Sequence, residues 1–175
     1  MRLSLFIALL LLMNTFILFD FSKDSKLNNW RIVDDVVMGG RSSGSFDLSK
    51  EGHGKFSGTV SLENNGGFSS LRYYFEGKSV SQYTKVVLHI KGDGSTFQFR
   101  IKRSSRDYVS YIYEIETSKE WMTVEIPFKD MYPGFRGRKL KQANYPGDYM
   151  EEIGFLIGNK KAQSFQLLID KIELK

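Results

Sequence analysis

Asp34-Asp35 stands a few residues before Gly39-Gly40, and Arg41-Ser42-Ser43 follows directly. A second stretch, Asn64-Asn65-Gly66-Gly67-Phe68-Ser69-Ser70-Leu71-Arg72, repeats the order of a glycine pair and then a serine pair. Carboxylates, amides and hydroxyls at this spacing hydrogen-bond to nearby backbone and hold irregular loops in one shape. Paired glycines suit a backbone that takes positive φ or passes close to another surface. Read from composition alone, these are two tight turns.

Groups able to do bond chemistry are sparse. The two histidines are His53, inside Gly-His-Gly, and His89, flanked by Leu88 and Ile90. One histidine among many serines and aspartates does not make a triad, because geometry decides that role. Glu114 and Glu116 are two apart in a strand-like run, so their side chains share a face about 6.6 Å apart. That separation suits an inverting glycosidase pair, although Glu-x-Glu is equally an ordinary solvated strand face. Asp20, Asp34, Asp35 and Asp170 are oxygen ligands that would suit a structural calcium if the first and last strands meet, but no calcium-loop spacing is present. We therefore expect no resident metal and no cofactor. Trp30, Trp121, Tyr111 and Tyr113 offer a sugar-stacking platform on one reading and core aromatics on the other. No P-loop and no His-Glu-x-x-His run occurs.

Positioning these residues requires a core, and 175 residues suffice for one domain. There is no cysteine, which excludes disulfides, thiolate metal sites and a cysteine nucleophile. The net charge is +5, from 25 basic and 20 acidic residues that are mixed along the chain. With no recognition helix or RNA-binding motif, the surface reads as mildly basic and not as a nucleic-acid interface.

Alternation gives the elements. Phe56, Gly58, Val60 and Leu62 oppose Ser57, Thr59 and Ser61, the period of a half-buried strand. The same period recurs at Phe97-Phe99-Ile101, at Val109-Tyr111-Tyr113-Ile115 and at Met122-Val124-Ile126-Phe128. Pro127 marks an edge or an exit. Ile153-Phe155-Ile157 and Phe165-Leu167-Ile169 follow, and Ile172 and Leu174 fall on the opposite parity, which predicts a bulge near Asp170-Lys171. Residues 129–150 look irregular. Nine or ten short strands without a long amphipathic helix predict an all-β, antiparallel two-sheet sandwich.

Residues 3–19 carry no charge, and Arg2 precedes them. We divide the chain into a hydrophobic leader at 1–16 and a single β-sandwich domain at 17–175. The leader fits a signal-like core, an uncleaved anchor, a misassigned start or an apolar element packed on the domain. Ile17, Phe19 and Phe21 then alternate like a strand. The leader favours a membrane-associated or exported location over a cytoplasmic one.

Trp30-Arg31-Ile32-Val33-Asp34-Asp35-Val36-Val37-Met38-Gly39-Gly40-Arg41-Ser42-Ser43 resembles the opening signature of the complex I intermediate-associated protein 30 family, with Val36 where that signature has glycine. Phe56-Ser57-Gly58, Asn65 to Ser70 with Arg72, Lys91-Gly92-Asp93-Gly94, Arg100, Ile126-Pro127-Phe128, Phe135-Arg136-Gly137-Arg138 and Ile153-Gly154-Phe155 follow in the family's order. The resemblance spans roughly residues 17–174. It implies a jelly-roll sandwich of the galactose-binding-domain-like type, no catalytic activity, and an assembly factor or chaperone-like protein that binds respiratory-complex subunits. It also implies partner-binding roles for Asp35, Arg41, Ser42, Asn65, Arg72, Arg100 and Arg136. For Asp35, Asn65 and Arg72 a buried network locking one loop to another is the competing expectation. The alternative to a protein partner is a glycan ligand held by Trp121, Tyr111 and Tyr113.

Overall fold

The computed structural model describes residues 14–175, so most of the hydrophobic leader expected at 1–16 lies outside the described residues. Among the described residues, thirteen strands form two sheets, with three short 3-10 turns between them. The strands are β1 (Phe16–Asp20), β2 (Trp30–Asp34), β3 (Ser43–Leu48), β4 (Gly54–Val60), β5 (Ser69–Ser79), β6 (Lys85–Lys91) and β7 (Thr96–Lys102). They continue as β8 (Ser110–Glu116), β9 (Met122–Pro127), β10 (Tyr132–Phe135), β11 (Arg138–Lys139), β12 (Tyr149–Ile157) and β13 (Gln163–Leu174).

One sheet runs β3-β4-β13-β6-β9, with β1 added beside the C-terminal half of β13. The other runs β11-β10-β8-β7-β12-β5-β2. The strand pairings are antiparallel in both sheets. This is the expected two-layer sandwich. Between the layers, Phe56, Phe165, Leu167 and Leu88 of the first sheet meet Phe97, Phe99, Leu71 and Phe155 of the second, all buried. The Phe97 ring lies 6.4 Å from Phe56 and 6.2 Å from Phe165, so aromatic contact crosses the interlayer space.

The predicted bulge is present. The register of β13 against β6 shifts between Ile169 and Lys171, which turns Asp170 outward while Ile169 and Ile172 both stay in the core. Pro127 ends β9, an edge strand, where a missing N–H breaks no ladder. Two expectations need correction. The register of β1 shifts between Ile17 and Phe19, so Ile17 is exposed while Phe16, Leu18 and Phe19 pack on the core. A bulge resets parity, and simple alternation therefore fails there. Residues 129–150 are not wholly irregular, because β10 and β11 form a hairpin turned by Arg136 and Gly137 at φ 48° and 74°. Positive φ at both turn residues matches the right-handed twist of the flanking strands.

Candidate functional site

The two glycine stretches meet at one carboxylate. Asp35 opens the 3-10 turn after β2 and is 1% exposed. Its Oδ1 accepts the Ser42 N–H at 3.0 Å. Its Oδ2 accepts the Ser42 hydroxyl at 2.5 Å, the Gly67 N–H at 2.6 Å and the Phe68 N–H at 3.1 Å. Ser42 passes the connection on, because its Oγ accepts the Ser61 N–H at 3.0 Å. Asp34 makes a second tie, accepting from the Gly44 N–H at 2.9 Å and from the Ser69 hydroxyl at 2.6 Å.

One glycine of each pair leaves room for that carboxylate. A Cβ on Gly40 would overlap Asp35 Oδ1, and one on Gly66 would come within 2.7 Å of Oδ2. Burial pushes the Asp35 carboxyl up, but the hydrogen bonds from Ser42, Gly67 and Phe68 outweigh it and hold the group below the usual carboxylate range. Asp35 is therefore an ionised lock between the loops, held by four hydrogen bonds.

The other expected site residues lie around this lock and on the outer face of the second sheet. Arg41 pairs with Glu63 at 2.8 Å, bridging the two loops in an exposed contact. Asn65 is exposed at φ 60°, beside Asn64 at φ 55°. Arg136 sits apart, in the β10–β11 turn, over the Phe135 ring at 5.2 Å.

Arg72 and Arg100 come together. Both are register partners of Gly154, from β5 and β7 on either side of β12. Arg100 Nε and Nη2 donate to Gln98 Oε1 at 3.1 and 2.5 Å. Burial, with Arg72 adding repulsion, pushes the Arg100 guanidinium down to about 10, so it stays charged at neutral pH. Glu152 is buried on the same face, 3.8 Å from Arg72 Nε and 3.9 Å from Lys102 Nζ, and its Oε2 accepts no hydrogen bond. Burial raises its carboxyl against the pull of those two cations.

The aromatic candidates do not gather on an open face. Tyr111 and Tyr113 are register partners of Ile101 and Phe99 and pack against the core. Trp121 lies on the outside of the other sheet, 4.6 Å from the His53 ring and 5.0 Å from the His89 ring. Both histidines bond one carboxylate: His53 Nδ1 is 3.0 Å from Asp170 Oδ1, and His89 Nδ1 is 2.8 Å from Oδ2. Asp170 is thus engaged there and Asp35 in its loops, so the four aspartates do not share one site. Glu114 lines a polar cavity of about 340 Å³ with Thr96, Gln98, Asn159 and Lys161, but Glu116 does not. A cavity of about 610 Å³ lies against Tyr83, Lys85, Phe128 and Tyr145. Sequence reasoning did not single out Gln98 and Glu152, and it named Gly154 only within a family motif. Their outward parity in β7 and β12 was the available signal.

The sequence profile of complex I intermediate-associated protein 30 matches residues 19–169. The chain belongs to that family. The Drosophila melanogaster protein named complex I intermediate-associated protein 30, mitochondrial, is 25% identical over 92% of this chain and 63% of its own length. The Mus musculus protein of the same name is 26% identical over 89% of this chain and 55% of its own length. The chain thus spans somewhat over half the length of these relatives. Among solved structures, the family 11 carbohydrate-binding module of Clostridium thermocellum, in complex with a β-1,3-1,4-mixed-linked tetrasaccharide, aligns with a TM-score of 0.67 at 22% identity. That alignment covers 91% of this chain and 94% of the module. The same module of the cellulase Lic26A-Cel5E aligns with a TM-score of 0.68. These likenesses establish the galactose-binding-like β-sandwich fold. No helix among the described residues is long and apolar enough to cross a membrane.

Proposed function

We propose that this protein is a non-catalytic binding module, an assembly factor or chaperone-like protein whose partner is a protein of respiratory complex I. Family membership and the relatives' names support the setting. The observation that carries the reading is the Asp35 lock, which fixes two loops against each other before any partner arrives. Asp35 and Ser42 act as the internal fastening, while Arg41, Asn65, Arg72, Arg100 and Arg136 supply contact. The uncharged run at 3–19 supports work at a membrane. The inward packing of Tyr111 and Tyr113 weighs against a glycan platform built from them.

Affinity purification of the tagged full chain from its native host, read by mass spectrometry, tests this. Complex I subunits should be recovered, and Arg41→Ala or Asn65→Ala should reduce recovery while the melting temperature stays near that of the parent. Recovery of no respiratory subunit, or glycan-array binding abolished by Trp121→Ala, would overturn it.

A further inference from the structure

Three arginines fall in one row across the outer face of the second sheet. Arg31 of β2 is the register partner of Arg72 of β5, Arg72 of Gly154, and Gly154 of Arg100 of β7. Like charges in neighbouring cross-strand positions destabilise a sheet. The protein supplies little to offset this. Arg31 Nη1 donates to the backbone carbonyls of Asn28 and Trp30, which are neutral. Arg100 is held by the neutral Gln98 and, among the described residues, has no carboxylate in salt-bridge contact. Arg72 has Glu152 alone, at 3.8 Å, and shares it with Lys102. Glu114 of the neighbouring β8 accepts from the Tyr132 hydroxyl at 3.2 Å. Gly154 has no side chain, so nothing stands between Arg72 and Arg100.

The geometry points to this row as the docking site of an extended acidic segment of a partner protein, its carboxylates paired with Arg31, Arg72 and Arg100. The assignment rests on the protein-binding reading above and adds the partner's chemistry. Strands lie about 4.8 Å apart, so the row spans about 14 Å. An extended chain presents same-side residues every ~6.6 Å, so three alternate carboxylates span about 13 Å. A guanidinium has five N–H donors in a planar fork that matches a carboxylate, and the bonds to Gln98 and to the Asn28 and Trp30 carbonyls leave Arg100 Nη1 and Arg31 Nη2 for one. A long polyanion such as nucleic acid needs an extended basic surface. Here Glu152 and Glu114 flank the row, and the whole chain carries 20 acidic residues beside 25 basic ones.

The test is titration of the full chain with a fluorescent peptide that alternates threonine and glutamate, and with its threonine–glutamine counterpart, read by anisotropy. We expect the glutamate peptide to bind and the glutamine peptide to bind at least about tenfold more weakly, with affinity falling as salt rises. Arg72→Gln/Arg100→Gln should lose roughly tenfold or more. A charge-matched control on exposed turns, Lys26→Gln/Lys50→Gln, should stay within about twofold of the parent. If the double variant does not fold, Arg72→Gln alone decides, with a loss expected and no change overturning the assignment. Equal binding of both peptides, or tighter binding to an oligonucleotide or to phosphatidylserine vesicles than to the glutamate peptide, also overturns it. Purification from the host separates the two readings. If wild type and Arg72→Gln/Arg100→Gln recover the same complex I subunits in equal yield, the docking site is wrong and the binding function stands. If wild type recovers none, the function itself fails.

Discussion

Asp35 is a single carboxylate that ties Ser42 in one loop to Gly67 and Phe68 in another. Replacing it with alanine leaves the buried Ser42 N–H and the half-buried Gly67 and Phe68 N–H groups without their acceptor. Orphaned buried donors cost a few kcal/mol in sum, so we expect Asp35→Ala to lower unfolding free energy by about 3 kcal/mol. Urea denaturation checks this, and a loss under about 1 kcal/mol would mean the loops find other partners. The same residue sets an acid limit. Its folded pKa lies below its unfolded value, so its contribution is complete above the ordinary carboxylate pKa of about 4 and is lost as pH falls through the lower folded value. Melting temperature against pH should therefore drop more steeply below about pH 4 in the parent than in Asp35→Asn. Arg41 contrasts with it, since its exposed pair with Glu63 adds little stability, and its replacement should leave the fold intact.

At the level of single strands, β12 is tightly held. It lies between β5 and β7, and on Gly154 a Cβ would sit 2.7 Å from the Leu71 carbonyl oxygen, which is backbone and cannot swing aside. Gly154→Ala should cost about 2 kcal/mol, read from the urea midpoint at unchanged m-value. A neutral result would mean that β5 and β12 spread apart easily. The strands were legible because polar and apolar residues alternate on surfaces wet on one side only, as at Phe97, Phe99 and Ile101. β10 escaped notice because Tyr132-Pro133-Gly134-Phe135 is too short for a period to register and contains two residues depleted in strands. Parity also sorts a strand into two faces without saying which one is inside. Tyr111 and Tyr113 therefore remained open as platform or core until β8 was paired with Phe99 and Ile101 of β7. The Asp35 network was half visible, because the residue types suggested a loop lock but not that Gly67 and Phe68, more than thirty residues on, complete it. The cluster of His53, His89, Asp170 and Trp121 carried no local signal, since its members come from four separate elements or loops.

The first and last strands of the described residues are neighbours. β1 pairs with the last residues of β13, Phe16 opposite Leu174 and Asp20 opposite Lys171. Phe19 and Phe21 pack on Trp30, whose ring stacks on Tyr73 at 4.6 Å. Removing residues 14–21 would uncover that aromatic cluster and leave β13 unpaired along part of one side. Losing buried Phe21 and the half-buried Phe16, Leu18 and Phe19 costs about 5 kcal/mol, a large share of a typical domain's stability. The truncated chain should aggregate on size-exclusion chromatography, and a soluble monomer with the parent's melting temperature would refute this account of β1. The lock at Asp35 has a thermodynamic corollary for association. Loops already held in place surrender little freedom when a partner lands, so encounter need not wait for ordering. Calorimetry should then return a heat-capacity change accounted for by the surface covered, with no added increment of the kind that accompanies a segment folding as it binds.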